Sequence, residues 1–167
     1  VIREKILRNL ETNSRIELAD LAIMLGISET ELANEIQKME DEKIICGYTT
    51  LINWDNTSKE IVTALIEFKV TPQRNQGFEM LAERIAKFQE VTSCYLMSGG
   101  FDFMVLIEGK SMKEVAKFVF NKLSTLDSVL STSTHFVLKK YKDHGVSLVI
   151  EEDDEESELI NEENEGN

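Results

Sequence analysis

Apolar positions in the first third of the chain recur at helical spacing three times in quick succession. Ile6, Leu7 and Leu10 make one stripe, Leu18, Leu21, Ala22 and Leu25 a second, and Leu32, Ile36 and Met39 a third. Ser14 with Glu17 and Ser28 with Glu31 have capping-box spacing, in which a hydroxyl and a carboxylate satisfy the orphan N–H groups at a helix start. They predict helices opening at Ser14 and Ser28, with Gly26 turning the chain between them at positive φ. Two short helices joined by a tight glycine turn, behind a packing helix, make a helix-turn-helix. The β-forming run Ile44 to Ile52 predicts a strand or short ribbon after it, hence a winged variant.

Asp55-Asn56-Thr57-Ser58-Lys59 is a polar break, and beyond it the period changes. Val62, Ala64, Ile66, Phe68 and Val70 alternate with their neighbours as a strand does, and Pro72 ends the run. Phe78, Leu81, Ala82, Ile85 and Phe88 return to helical spacing. Strands follow at Val91 to Ser98 and Phe101 to Glu108, with Gly99-Gly100 between them as a tight hairpin turn. Ser111 and Glu114 cap a helix carrying Met112, Val115, Val119 and Leu123, and a last strand runs from Val129 to about Lys139. The order β-α-β-β-α-β is the ferredoxin-like plan, so the fold class is α+β. The expected division is a helix-turn-helix over 1–54, a linker over 55–61, the ferredoxin-like module over 62–142 and an acidic tail over 143–167.

A four-stranded sheet with both helices on one side leaves its other side bare. The strand with Phe103, Val105 and Ile107 on one face has Met104 and Leu106 on the other, and apolar residues on both faces imply burial on both. Either the helical module covers that face or a second copy does, and the separating linker favours a homodimer.

Charge changes the picture in two places. The formal total is −13 over 167 residues, but residues 1–54 sum to −4, residues 55–150 to +1 and residues 151–167 to −10. The last segment has ten carboxylates and no base, a composition that reads as a solvated extension able to compete with nucleic acid for the protein's own basic side chains. No apolar run reaches membrane-spanning length and the charged amino terminus lacks a signal-peptide core, so the expectation is a cytoplasmic protein without membrane contact.

Chemistry-bearing residues are sparse. Cys46 and Cys94 lie far apart, without partners at ligand spacing, and read as buried small hydrophobes. His135 and His144 stand alone. No nucleophile-base pairing and no phosphate loop appears, so neither catalysis nor a metal or other cofactor is expected. The exposed side of the third helix offers Ser28, Thr30, Asn34 and Gln37 as hydrogen-bonding readers of base edges or phosphates, with Lys38 as the cation beside them. In the second module, N–H groups of Gly99-Gly100 are suited to a small carboxylate. Asp102 would then accept from an ammonium group, with Ser98, Thr132 and Thr134 as hydrogen-bond partners. As plain β-formers on a half-buried surface, the two threonines need no ligand.

Glu17-Leu18-Ala19-Asp20-Leu21-Ala22, Leu25-Gly26-Ile27-Ser28 and Ile44-Ile45-Cys46-Gly47-Tyr48-Thr49, then Gly99-Gly100-Phe101-Asp102 and Thr132-Ser133-Thr134, together resemble the Lrp/AsnC family of transcription regulators over about residues 2–142. The resemblance implies an amino-terminal DNA reader and a carboxy-terminal domain that oligomerises, as dimers that commonly assemble to octamers. It also implies an amino acid effector held near the glycine-containing turn and the threonines of the last strand. One departure stands out: Ser28 to Lys43, where such regulators carry several bases, has net charge −4. Because phosphate neutralisation dominates affinity, a single head should bind weakly and useful affinity should come from several heads on one assembly. Two alternatives stay open: a metabolite-sensing oligomer whose helix-turn-helix no longer reads DNA, and an enzyme like the sirohaem decarboxylases, which share the domain plan but would want more Arg and His than Arg74, Arg84 and two histidines.

Overall fold

The computed structural model describes residues 1–71 and 77–149. Pro72 as a strand terminator and the acidic residues 151–167 lie outside the described residues. The chain divides into two compact units, Val1–Leu51 and the residues from Ile52 on.

The first unit is three helices, α1 (Ile2–Thr12), α2 (Leu18–Leu25) and α3 (Glu29–Asp41). Their stripes meet in a core of Ile6, Leu21, Ala22, Leu32 and Met39, ringed by Leu7, Leu10, Leu25 and Ile36. Gly26 takes φ +69, and Ile27 N–H reaches back to Ala22 O at 3.1 Å, closing α2 with its left-handed cap. Ser28 Oγ accepts from Glu31 N–H at 3.1 Å and opens α3 as predicted. The Ser14 cap does not form. Asn13 Oδ1 accepts from Arg15 N–H at 3.0 Å, and this local turn holds 13–15 out of the helix, so α2 starts after Glu17. Leu18 is then the first residue of α2 and stands 41 % exposed instead of buried.

The predicted wing strand is also absent. Lys43 takes φ +59, and the N–H groups of Ile44 and Ile45 both donate to Met39 O, at 2.9 and 3.1 Å, folding the chain back onto the end of α3. Residues 46–53 continue without strand structure, since β-forming side chains make a strand only where a second strand completes the ladder. Cys46 is exposed rather than buried, its Sγ–H donating to Lys43 O at 3.2 Å.

Residues 52–61 belong with the second unit, so the break falls ahead of the polar stretch. Asn53 Nδ2 donates to Leu148 O at 2.9 Å, and the Lys59 ammonium lies 4.8 Å over the Trp54 ring. β1 (Val62–Val70), α4 (Glu79–Ala86), β2 (Val91–Leu96), β3 (Phe103–Gly109), α5 (Met112–Phe118) and β4 (Val129–Phe136) follow in the expected order. The strands form one antiparallel sheet in the order β2-β3-β1-β4. Its inner face, Ala64, Ile66, Phe68, Val70, Phe103, Val105 and Ile107, packs with Ile85, Val115, Phe118, Val119 and Leu123 of the helical layer. A two-residue turn at His144 and Gly145, both at positive φ, then joins β5 (Lys142–Asp143) to β6 (Val146–Ser147).

Met112, expected in the buried stripe of its helix, is 53 % exposed. Val115 is level with the last residue of β3: a Cβ on Gly109 would come within 2.8 Å of its Cγ2. Met112, almost a turn earlier, therefore lies beyond the end of the sheet. On the outer face of the sheet Leu65, Met104 and Leu106 are half-buried and Tyr95 half-exposed.

Candidate functional site

Two places hold the residues singled out in the sequence, one in each unit. On α3, Thr30, Asn34 and Gln37 are exposed on one side of the helix, opposite the buried Leu32 and Met39. Ser28 sits at the tip, where its hydroxyl is committed to the cap. Gln37 Nε2 donates to Asp41 Oδ1 at 3.1 Å, and Lys38 Nζ pairs with Glu35 Oε1 at 2.7 Å. The predicted cation is thus tied along its own helix.

The acids of α3 are largely spoken for as well. Arg3 on α1 donates through Nε to Glu35 Oε2 at 3.0 Å and through both terminal nitrogens to Glu42, at 2.7 and 3.1 Å. Glu40 Oε1 accepts from the Tyr48 hydroxyl at 2.8 Å. Bonds from Lys38 and Arg3 hold Glu35 below the usual carboxylate range, and the Arg3 bond does the same for Glu42. Burial, then the Glu40 bond, push the Tyr48 phenol up. This clamp was not foreseen from the sequence. Its signal was there: Glu35 and Glu42 stand seven residues apart, two helical turns, on the side of α3 that meets α1.

The second group lies at one end of the sheet. Residues 97–102 join β2 to β3 as a six-residue loop, wider than the expected two-residue turn, with Met97 N–H donating to Asp102 O at 2.8 Å. Only Gly99 needs the left-handed region, at φ +125. Asp102 anchors the loop to β1: its N–H donates to Phe68 O at 2.7 Å, and its Oδ2 accepts from Val70 N–H at 2.8 Å. That second bond takes up a β1 N–H that lies beyond Phe68↔Phe103, the last pair of the β1–β3 ladder. Ser98, Gly99 and Gly100 are exposed, and a Cβ added to either glycine would meet nothing within 4 Å.

Thr132 and Thr134 stand opposite Phe68 and Ile66 of β1 and so share the helix-covered face of the sheet. Thr132 Oγ1 is 3.3 Å from Ser124 Oγ. Phe68 also pairs with Phe103, which places Thr132 and the loop at the same end of the sheet, on either side of β1, with Thr134 one step deeper. None of the six residues lines the shallow cleft at that end, whose walls include Val70, Thr71, Phe78, Leu81, Arg84 and Asp127. Of the two charged residues of that cleft, Arg84 was weighed in the sequence only for an enzyme, and Asp127 had no sequence signal. Cys94 is half-buried, and burial pushes its thiol up. Among the described residues no group of three or more His, Cys, Asp and Glu side chains could hold a metal ion, and no helix is long and apolar enough to cross a membrane.

Residues 63–147 match the Lrp/AsnC ligand binding domain. An uncharacterised HTH-type transcriptional regulator of Bacillus subtilis, YugG, is 52 % identical over 90 % of this chain and 91 % of its own length. The proline dehydrogenase transcriptional activator of Rhodobacter capsulatus is 30 % identical over 81 % of this chain and 87 % of its own. These relatives are named as transcriptional regulators, not enzymes. Among solved structures, a Neisseria meningitidis transcriptional regulator in complex with L-Met superposes with TM-score 0.68 at 24 % identity, covering 85 % of this chain and 91 % of that one.

Proposed function

The chain belongs to the Lrp/AsnC family, and from that premise we propose that it is a homo-oligomeric DNA-binding regulator whose sheet domain answers to an amino acid. The observation that carries the DNA reading is the division of labour on α3. Glu35 and Glu42 are drawn onto Arg3 and Glu40 onto Tyr48, which leaves Thr30 and Asn34 open to base edges or phosphates, with Ser28 at the tip and Gln37 available once it exchanges its bond to Asp41. Lys38, paired to Glu35, adds little cationic pull, so one head binds weakly and affinity rests on several heads held together. The half-buried Leu65, Met104 and Leu106, on the sheet face away from α4 and α5, supply the surface for pairing two copies. The open loop at Ser98, Gly99 and Gly100, with Asp102 behind it and Thr132 and Thr134 across β1, is the proposed effector contact; its space is free in the single chain. The L-Met complex of the Neisseria neighbour supports the choice of ligand class. An effector shifts DNA affinity only by binding one assembly better than another.

Binding to the DNA upstream of its own gene, measured over a salt series with and without a panel of amino acids, tests this reading. Affinity falling steeply with salt and shifting with one amino acid is expected. Asn34→Ala should cost about 1–3 kcal/mol of specific binding. Gly100→Val should abolish the amino acid effect while leaving thermal unfolding unchanged, because Gly100 is at ordinary φ with open space around it. The pairing of Lys38 and the net charge of α3 favour a second reading, a sensor whose helix-turn-helix is retained without DNA binding. An amino acid response with no salt-dependent DNA binding would select that reading.

A further inference from the structure

The outer side of α5 carries two adjacent stripes that the fold leaves uncovered. Met112, Ala116 and Phe120 follow one another at four-residue spacing and all are exposed, Phe120 by 76 %. The helix widens into a π turn at Val119–Leu123, which keeps Val119 and Leu123 in the core and turns Phe120 outward. Lys113 and Lys117 run beside that apolar stripe, with Lys110 just before the helix. Among the described residues none of these three ammonium groups has an ion-pair partner. The one carboxylate on α5, Glu114, is engaged, accepting from Lys110 N–H at 2.6 Å.

The chain carries a complement to this surface. Residues 151–167 hold ten carboxylates, no base and one apolar pair, Leu159-Ile160. They follow a chain that leaves the sheet at the right end. Val137 N–H donates to Thr63 O at 2.9 Å, and Leu148 lines the same cleft as Thr63 and Val137. Val62, the neighbour of Thr63 on β1, pairs with Gly109, just ahead of α5. Leu159 lies ten residues past Val149, a reach of up to about 33 Å. The helix and its π turn together span about 18 Å, and the rest of that reach carries the segment round the sheet edge, since Thr63 and Val137 lie on the face away from α5.

We propose that the acidic segment 151–167 docks on the outer face of α5 of its own chain. Leu159 and Ile160 lie against Met112 and Phe120, and the carboxylates lie among Lys110, Lys113 and Lys117. Exposed ion pairs are individually weak. Tethering raises the effective concentration of the segment to the order of millimolar, which favours the contact without any new interaction.

Carbodiimide cross-linking of the full chain tests this. Unlabelled and nitrogen-labelled protein are mixed in denaturant, refolded together and read by mass spectrometry. Expected are links from Lys113 or Lys117 to carboxylates flanking Leu159-Ile160, within one isotopic species. Their yield should fall at least about threefold at high salt, where exposed charges are screened. It should fall as far in Phe120→Ser, a variant whose side chain is outside the core and whose fold is checked by circular dichroism. Three results would each overturn the proposal. The links could join the two isotopic species, making the occupant a second copy's segment, or they could spread evenly over the lysines of the chain. Lastly, Lys113→Glu with Lys117→Glu could weaken DNA binding in a chain ending at Ile150, which would make the face a DNA contact.

Discussion

The two units hold their shape by different means. Among the described residues the helical unit buries five apolar side chains, while the sheet domain buries thirteen in one continuous core with two edge-to-face phenylalanine pairs. The head adds the Arg3, Glu35 and Glu42 clamp at its surface, where ion pairs are individually weak and screened by salt. Small units bury a smaller share of their surface and are marginal for that reason. The lesson is one of roles: the sheet domain is the scaffold, and the head is a light, electrostatically trimmed attachment.

The strongest way to break this contrast is to open the larger core. Phe68→Ala should cost about 3–5 kcal/mol, read by calorimetry as a large drop in the sheet domain's unfolding temperature. Leu32→Ala, at about 2–5 kcal/mol, should melt the head alone and leave the sheet domain's transition in place; a single shared transition would contradict the independence of the units. Gly109→Ala sharpens the packing argument, because its Cβ would press on buried Val115 and should cost about 1–3 kcal/mol. Ser28→Ala and Ser111→Ala remove matching caps, one in each unit, and should cost about 1 kcal/mol each; the same loss should be felt more in the head, whose total is smaller.

The smallest effect is the pH response of the clamp. Glu35 and Glu42 are held below their ordinary range, so their contribution is complete above that range and is lost as pH falls through their folded-state values. Arg3 is held protonated more firmly than usual and stays charged throughout. Acidification should therefore lower the head's unfolding temperature, and Arg3→Ala should reduce that slope to the part that the Lys38 bond to Glu35 sustains.

Much of this was legible in the residues. The 3.6-residue stripes of α1 and α3, the alternation of β1 and the caps at Ser28 and Ser111 are local signals, and each formed where its spacing placed it, while the α2 stripe lost its first member, Leu18, to solvent. The errors came where two local signals competed or where a partner was needed. The Asx turn at Asn13 displaced the Ser14 cap, and Ile44 to Ile52 had β propensity but no strand to pair with. Of the proposed sites, the α3 stripe follows from periodicity alone. The meeting of the Gly99 loop with Asp102 and Thr132 depends on which strands lie side by side, and no spacing encodes that.

By itself, then, the sequence determined the five helices and the four strands of the main sheet, their order, the α+β plan and the acidic balance of α3, because period, capping and charge are properties of neighbouring residues. Only the tertiary structure decided which carboxylates α3 presents and which it gives to Arg3, and that Asp102 holds β1. It alone showed that Phe120 and Met112 stand outside the core. Those outcomes depend on contacts between residues far apart in the chain, where geometry, not propensity, selects the partner.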